Sequence, residues 1–232
     1  MRSRQPAQAA IHFAEIIRIL HHHYGPPPPP ISTDPFELII WENIAYLASD
    51  RRRESAFAEF KARVGMDPEA ILRACQRTLA DVAKAGILAD VSAEKLLSAA
   101  KIAYEEFNSD LRPVLRLPLP QAKKALRKFP GIGEPGSEKI LLFTGSYPIL
   151  ALESNGLRVL RRLGYGKQDR NYAASYRSAQ AALASQLPGD CAVLIRAHQL
   201  LRTHGKELCK SSKPHCNQCP LAQKCSYFLS GS

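Results

Sequence analysis

The 232-residue sequence has no apolar run approaching the ~18 residues that a membrane-crossing helix needs, and its first residues lack the basic, apolar, small-residue progression of a signal peptide. These absences argue against a spanning helix and point to an intracellular, reducing setting. No segment alternates apolar and polar residues as a half-buried strand does, and no period repeats, so neither a sheet nor a solenoid is expected. Acidic residues are scarce, with 21 Asp and Glu against 32 Lys and Arg, which leaves a formal charge of +11. An excess of that size implies a polyanionic partner. Nucleic acid is favoured over an anionic membrane, because each neutralised phosphate releases counterions. Hydrophobic residues at 45% and charged residues at 23% are ordinary for a globular chain that buries a core, as one large domain or two small ones.

What is present reads as helix throughout. Phe13, Ile16, Ile17 and Leu20 recur at helical spacing within residues 10–23, with Arg18 and His22 on the far side. His21, His22 and His23 are adjacent, and neighbours on a helix point in different directions, so they do not converge as metal ligands. Gly25 and the run Pro26 to Pro30 break the helix and form a stiff spacer; binding of a partner is the alternative. Thr33 or Asp34 followed by Pro35 marks a helix start, and the helix expected over residues 36–48 carries Phe36, Ile39, Ile40, Ile44 and Leu47 on its apolar side, with Glu42 inside it. Helical patterns continue at residues 53–63, 68–75, 79–85, 93–107, 120–129, 137–143, 155–163, 172–186 and 191–204. The fold class is all-α, with short loops.

Of the six cysteines, Cys75 and Cys191 stand alone, whereas Cys209, Cys216, Cys219 and Cys225 crowd the C-terminus. Thiols packed this tightly in a basic intracellular chain indicate a metal or cluster rather than disulfides. Spacing alone leaves structural zinc and an iron–sulfur cluster both open.

Between a basic helix with Lys123, Lys124, Arg127 and Lys128 and a second helix near Pro135 lies Phe129-Pro130-Gly131-Ile132-Gly133. Two glycines one residue apart permit a turn whose amides face outward, and the next helix N-terminus adds its dipole. Such a turn grips a phosphate oxygen without reading sequence. A purely structural turn is the competing reading. At these residues the chain resembles the helix-hairpin-helix DNA glycosylase superfamily, whose hairpin reads Leu-Pro-Gly-Val-Gly. The likeness runs from Thr33-Asp34-Pro35-Phe36-Glu37-Leu38, similar to the start of the first barrel helix of endonuclease III, to the cysteines, whose six-two-five spacing is similar to the cluster loop of endonuclease III and adenine DNA glycosylase.

The resemblance implies two helical lobes with a DNA cleft between them. One is a six-helix barrel with the hairpin, over residues 31–146; the other joins residues 1–30 to 147–232 and carries the cluster loop at 205–228. It implies a [4Fe-4S] cluster on Cys209, Cys216, Cys219 and Cys225, and DNA contacts from Lys128, Phe129, Gly131, Ile132, Gly133 and Gly136. Lys210 and Lys213, in the loop between the first two cysteines, meet phosphate or merely solvate the loop. Tyr46 and Leu47 fall near the superfamily's DNA wedge, with packing as the alternative. Glu153 takes the place of the superfamily's catalytic aspartate, one methylene longer, or caps the helix near Asn155. Glu42 aligns with the glutamate that protonates the departing purine in adenine DNA glycosylase, and burial in an apolar helix is expected to raise its pKa; a structural role is the alternative. Pro135 stands where bifunctional members have their lysine, and Lys139 lies one turn further along the same face. The implied activity is a monofunctional, monomeric glycosylase that flips and hydrolytically removes a damaged or mispaired base from duplex DNA. A lyase using Lys139 and a cluster-bearing protein that binds DNA structure without cutting are the alternatives.

Overall fold

Helix starts follow side chains that the sequence marks. Asp34 Oδ1 accepts from the Phe36 and Glu37 amides at 2.9 and 3.0 Å, and Pro35 occupies the first turn, so α2 begins at Pro35 (Pro35–Asn43). Asp67 does the same ahead of Pro68, and Ser49, Asn171 and Asp190 cap three further helices. The structure, a computed structural model, describes residues 11–45, 47–86 and 88–231. Among them every regular element is helical: α1 (Phe13–Tyr24), α2, α3 (Asp50–Arg63), α4 (Pro68–Arg73), α5 (Gln76–Ala83), α6 (Ala89–Phe107), α7 (Leu119–Leu126), α8 (Glu134–Phe143), α9 (Ser154–Arg162), α10 (Tyr172–Leu183), α11 (Cys191–Glu207) and the short α12 (Ser226–Leu229), with four 3-10 turns. None of these helices is long and apolar enough to cross a membrane.

The chain divides into two units. Pro30–Ile149 forms one; the described residues up to Pro29 and from Leu150 onward form the other, so the backbone passes between them twice.

In the Pro30–Ile149 unit, α6 presents Ala93, Ala99, Ala100 and Ala103, all fully buried, to α2, α4 and α5. Small side chains let those backbones approach, and Ile39, Ile40, Phe60, Ile71, Leu79 and Leu96 fill the remaining volume. Helix α2 is buried on several faces and ends at Asn43, five residues earlier than its apolar pattern suggests. Leu47, with φ 56°, is incompatible with a helix continuing through it. Asn43 Nδ2 donates to the Ile39 carbonyl at 2.9 Å and to the Pro130 carbonyl at 2.9 Å, fastening the end of α2 to the hairpin. Leu47, expected on the apolar stripe, lies past the end and is 68% exposed.

In the other unit, Phe13, Ile16, Ile17 and Leu20 of α1 are buried, and α1 packs against α11. The Gln199 side chain of α11 donates to the Pro28 carbonyl at 2.6 Å and ties down the proline run. Helices α9 and α11 approach so closely that a Cβ on Gly205 would stand 2.6 Å from Asn155 Cβ and 2.7 Å from its carbonyl oxygen. Gly205→Ala is therefore expected to lower the stability by about 1–3 kcal/mol through overpacking. A urea midpoint that falls at constant m-value is the measurement.

Candidate DNA-binding and catalytic site

The hairpin closes α7 and opens α8. Gly131 has φ 73°, a conformation that other L-residues rarely adopt, and a Cβ there would lie 2.7 Å from Asn43 Oδ1. Gly133 differs: it is the extended N-cap of α8, with φ −88°, and a Cβ on it would meet only ordinary contact. Gly131 thus makes the turn and Gly133 keeps the approach to α8 open. Both glycines are exposed while Ile132 between them is 5% exposed, so the turn offers main chain to solvent. The first amides of α8 lack intrahelical acceptors and add the positive end of its dipole. Gly136 sits against Ile132.

The side chains expected to touch DNA are placed differently. Phe129 is 2% exposed and stacks on Phe107 with ring centroids 5.7 Å apart; with Ile132 it anchors the hairpin in the core. Lys128 pairs with Glu106 and lies over the Phe107 ring. Lys123 pairs with Glu134, at 3.0 Å, and with Glu138. Lys124 and Arg127 are exposed on the same segment and make no ion pair among the described residues, so they are the cations left for a phosphate.

Glu42 and Lys139, considered separately in the sequence, meet. Lys139 Nζ of α8 donates to Glu42 Oε1 of α2, with side chains 17% and 23% exposed. Glu42 therefore lies at a half-open edge facing a cation, not in the apolar wall that its helix suggested. That bond holds the Lys139 side chain against α2. Tyr46 lies outside the described residues.

In the other unit, Glu153 is the N-cap of α9. Its Oε1 accepts from the Gly156 amide at 2.6 Å and its Oε2 from Asn155 Nδ2 at 2.7 Å. Asn155 Oδ1 accepts in turn from Arg158 Nη2 at 2.7 Å, and Arg158 reaches the carbonyls of Cys209 and Gly205, both at 2.8 Å. One chain of hydrogen bonds thus joins the candidate carboxylate to the cysteine loop. Burial holds the Arg158 guanidinium below its ordinary value. Partial desolvation, and then the nearby Glu153 charge, raise the Tyr172 phenol.

Cys209, Cys216, Cys219 and Cys225 line one small cavity of about 20 Å³, together with Arg162, Leu208, Tyr227 and Phe228. Four thiols around one space could serve a common metal ion or cluster. Arg162 Nη1 donates to Cys209 Sγ at 3.2 Å and to the Lys210 carbonyl at 2.7 Å, and its guanidinium lies over Tyr227. Burial pushes the Cys219 thiol up to about 11 and Cys225 in the same direction, so a metal or cluster bound there would have to displace their protons. His204 is buried between the Tyr24 hydroxyl, 3.0 Å from its Nδ1, and Cys219 Sγ, 3.4 Å from its Nε2; burial drives it down to about 4, a neutral structural imidazole. Lys210 and Lys213 are both exposed in the loop, Lys213 with φ 50°.

No family model matches the chain. It is 27% identical to endonuclease III of Rickettsia conorii over 162 residues, 70% of each chain. Its fold matches that of a trapped endonuclease III–DNA covalent intermediate with a TM-score of 0.76 at 17% identity, covering 95% of this chain and 99% of the other. A thermostable thymine-DNA glycosylase aligns with a TM-score of 0.73 at 18% identity, over 94% and 97%. The chain is thus similar in sequence to endonuclease III and shares the fold of these DNA glycosylases.

Pro135, where the resemblance would put a lysine, lies in the first turn of α8. Two residues that hold the site together had been given no role from sequence. Asn43 fixes the hairpin from α2, and its only signal is a lone amide in a run of Ile and Leu. Arg158, three residues after Asn155, is an ordinary helical arginine until α11 brings the cysteine loop to it. Asn43→Ala leaves the Pro130 carbonyl without its donor and is expected to cost about 1–3 kcal/mol while weakening binding to undamaged duplex. Lys124→Ala should weaken that binding alone, leaving the urea midpoint unmoved, as paired fluorescence-anisotropy and denaturation curves would record.

Proposed function

We propose that this chain is a monofunctional DNA N-glycosylase that holds duplex DNA by its hairpin and hydrolytically removes a flipped, damaged or mispaired base. The observation that carries the reading is the hairpin. Gly131 in its left-handed turn, fastened by Asn43, leaves the main chain at the N-terminus of α8 open to a phosphate. A base still stacked in the duplex is out of reach of any side chain, so removal requires flipping.

Glu153 then serves the sugar. Loss of the base leaves an oxocarbenium-like cation, and a carboxylate fixed through both oxygens by Gly156 and Asn155 is a preorganised counter-charge that also orients water. The Glu42–Lys139 pair holds a transferable proton for the departing base, with the ammonium as donor. Pro135 has no amine, which removes the Schiff-base route from its usual position, and Lys139 is engaged by Glu42. Leu47, exposed beyond the end of α2, is suited to fill the gap left by the flipped nucleotide.

The four cysteines would hold a [4Fe-4S] cluster. When bound, it ties residues 209–225 into one closed loop and fixes Lys210 and Lys213 at its edge. All four cysteines line one cavity, and their six-two-five spacing, similar to the cluster loop of endonuclease III, supports this reading over a single zinc ion. A second reading has its own support: Glu153 caps α9 and Glu42 is ion-paired, as both would be in a protein that binds DNA structure without cutting.

Purified protein is expected to be brown, with iron and acid-labile sulfide; one zinc per colourless chain would contradict the cluster. With a panel of lesion-bearing duplexes, free base should appear while the strand stays intact until alkali is added, and Glu153→Gln should lower single-turnover release by at least about 100-fold with duplex affinity retained. Tight binding with no base released from any duplex would establish the binding-protein reading, and a borohydride-trapped adduct would establish a lysine nucleophile.

A further inference from the structure

Helix α9 carries Arg158, Arg161 and Arg162 at spacings of three and four residues, so all three guanidinium groups lie near one side of the helix. They form the wall of an open pocket with about 1000 Å³ of non-atom space, completed by Gln168, Tyr227 and Ser230 among others. No carboxylate lines it. Arg158 and Arg162 are accounted for, because their N–H groups donate to the cysteine loop and Asn155. Arg161 is not. Its Nε is buried without a hydrogen-bond partner, and its side chain makes no ion pair among the described residues. Three guanidinium groups crowd one open pocket that no carboxylate lines, and an anion there offsets their mutual repulsion.

We infer that this pocket is a phosphate-binding site, separate from the hairpin and on the other unit of the chain. A tetrahedral phosphate, with acceptor oxygens pointing in several directions, suits three planar forks better than a flat two-oxygen carboxylate does. Tyr227, already under the Arg162 guanidinium, adds a hydroxyl at the rim. The phosphate comes from the backbone of a nucleic-acid strand or from a free phosphorylated ligand. The inference uses none of the residues assigned to base removal except Arg158, and it stands whether or not the chain cuts a glycosidic bond.

The test uses the whole cluster-loaded chain and its Arg161→Gln, Arg161→Lys and Gln168→Glu variants. Pyrophosphate is titrated by calorimetry, and affinity for an undamaged duplex is measured across a salt series. If the source is a free ligand, wild type binds pyrophosphate saturably, Arg161→Gln and Gln168→Glu weaken it about tenfold, and Arg161→Lys retains most of it, with the duplex unaffected. If the source is a strand, Arg161→Gln lowers duplex affinity alike for all sequences and reduces the slope of log K against log salt by about 1. If neither pyrophosphate binding nor the salt slope changes in Arg161→Gln and Gln168→Glu, the site does not exist. Should Arg161→Gln fail to fold, the exposed Gln168→Glu, which places a carboxylate in the pocket, decides alone.

Discussion

Arg158 holds three oxygen atoms from three different segments, and much of the unit that contains it depends on that grip. From the middle of α9 it binds Asn155 at the start of its own helix, Gly205 near the end of α11, and Cys209 at the start of the cysteine loop. A guanidinium suits this task because its donors lie in one rigid plane and their directions are fixed together. The close approach at Gly205 brings the acceptors within reach, and the N-cap of α9 places Asn155 beside Glu153. The candidate carboxylate is therefore positioned by the same bonds that locate the first cysteine.

The Pro30–Ile149 unit uses a smaller device to the same end. Asn43 joins the end of α2 to the hairpin, since its amide serves both the Ile39 and Pro130 carbonyls. Buried Phe129 and Ile132 then hold the turn from beneath, which leaves glycine main chain as its outward face. Phosphate recognition of this kind needs accurately placed amides and few side chains. That the hairpin's flanking lysines are largely engaged with glutamates agrees with this division: Lys123 and Lys128 brace the hairpin, and Lys124 and Arg127 remain for an anion.

The ion pair between Glu42 and Lys139 changes the chemistry that either residue suggests alone. A glutamate in an apolar helix reads as an acid held protonated by burial, and a lysine one turn past Pro135 reads as a displaced nucleophile. Together they neutralise each other at the edge of α2 and α8. Proton delivery to a leaving base is compatible with that pair; a free amine attacking a sugar is not, unless the pair first opens.

The all-helical class, the hairpin and the grouping of four cysteines were legible in the sequence, because each rests on local signals: apolar periodicity, caps such as Asp34-Pro35, a Gly-Ile-Gly turn, and thiol spacing. The bond from Asn43 at the end of α2 to Pro130 was not legible, since the two lie far apart along the chain. Nor were the inward turn of Phe129 and Ile132, the meeting of Glu42 with Lys139, or the reach of Arg158 to the cysteine loop. Those facts depend on which helices pack together, and side-chain partners distant in sequence are set by that packing alone. The sequence by itself determined that this chain is a helical, basic protein with a Gly-Ile-Gly turn between two helices. Only the tertiary structure decided which of its charged groups are paired with each other and which, like Arg161, remain for something else.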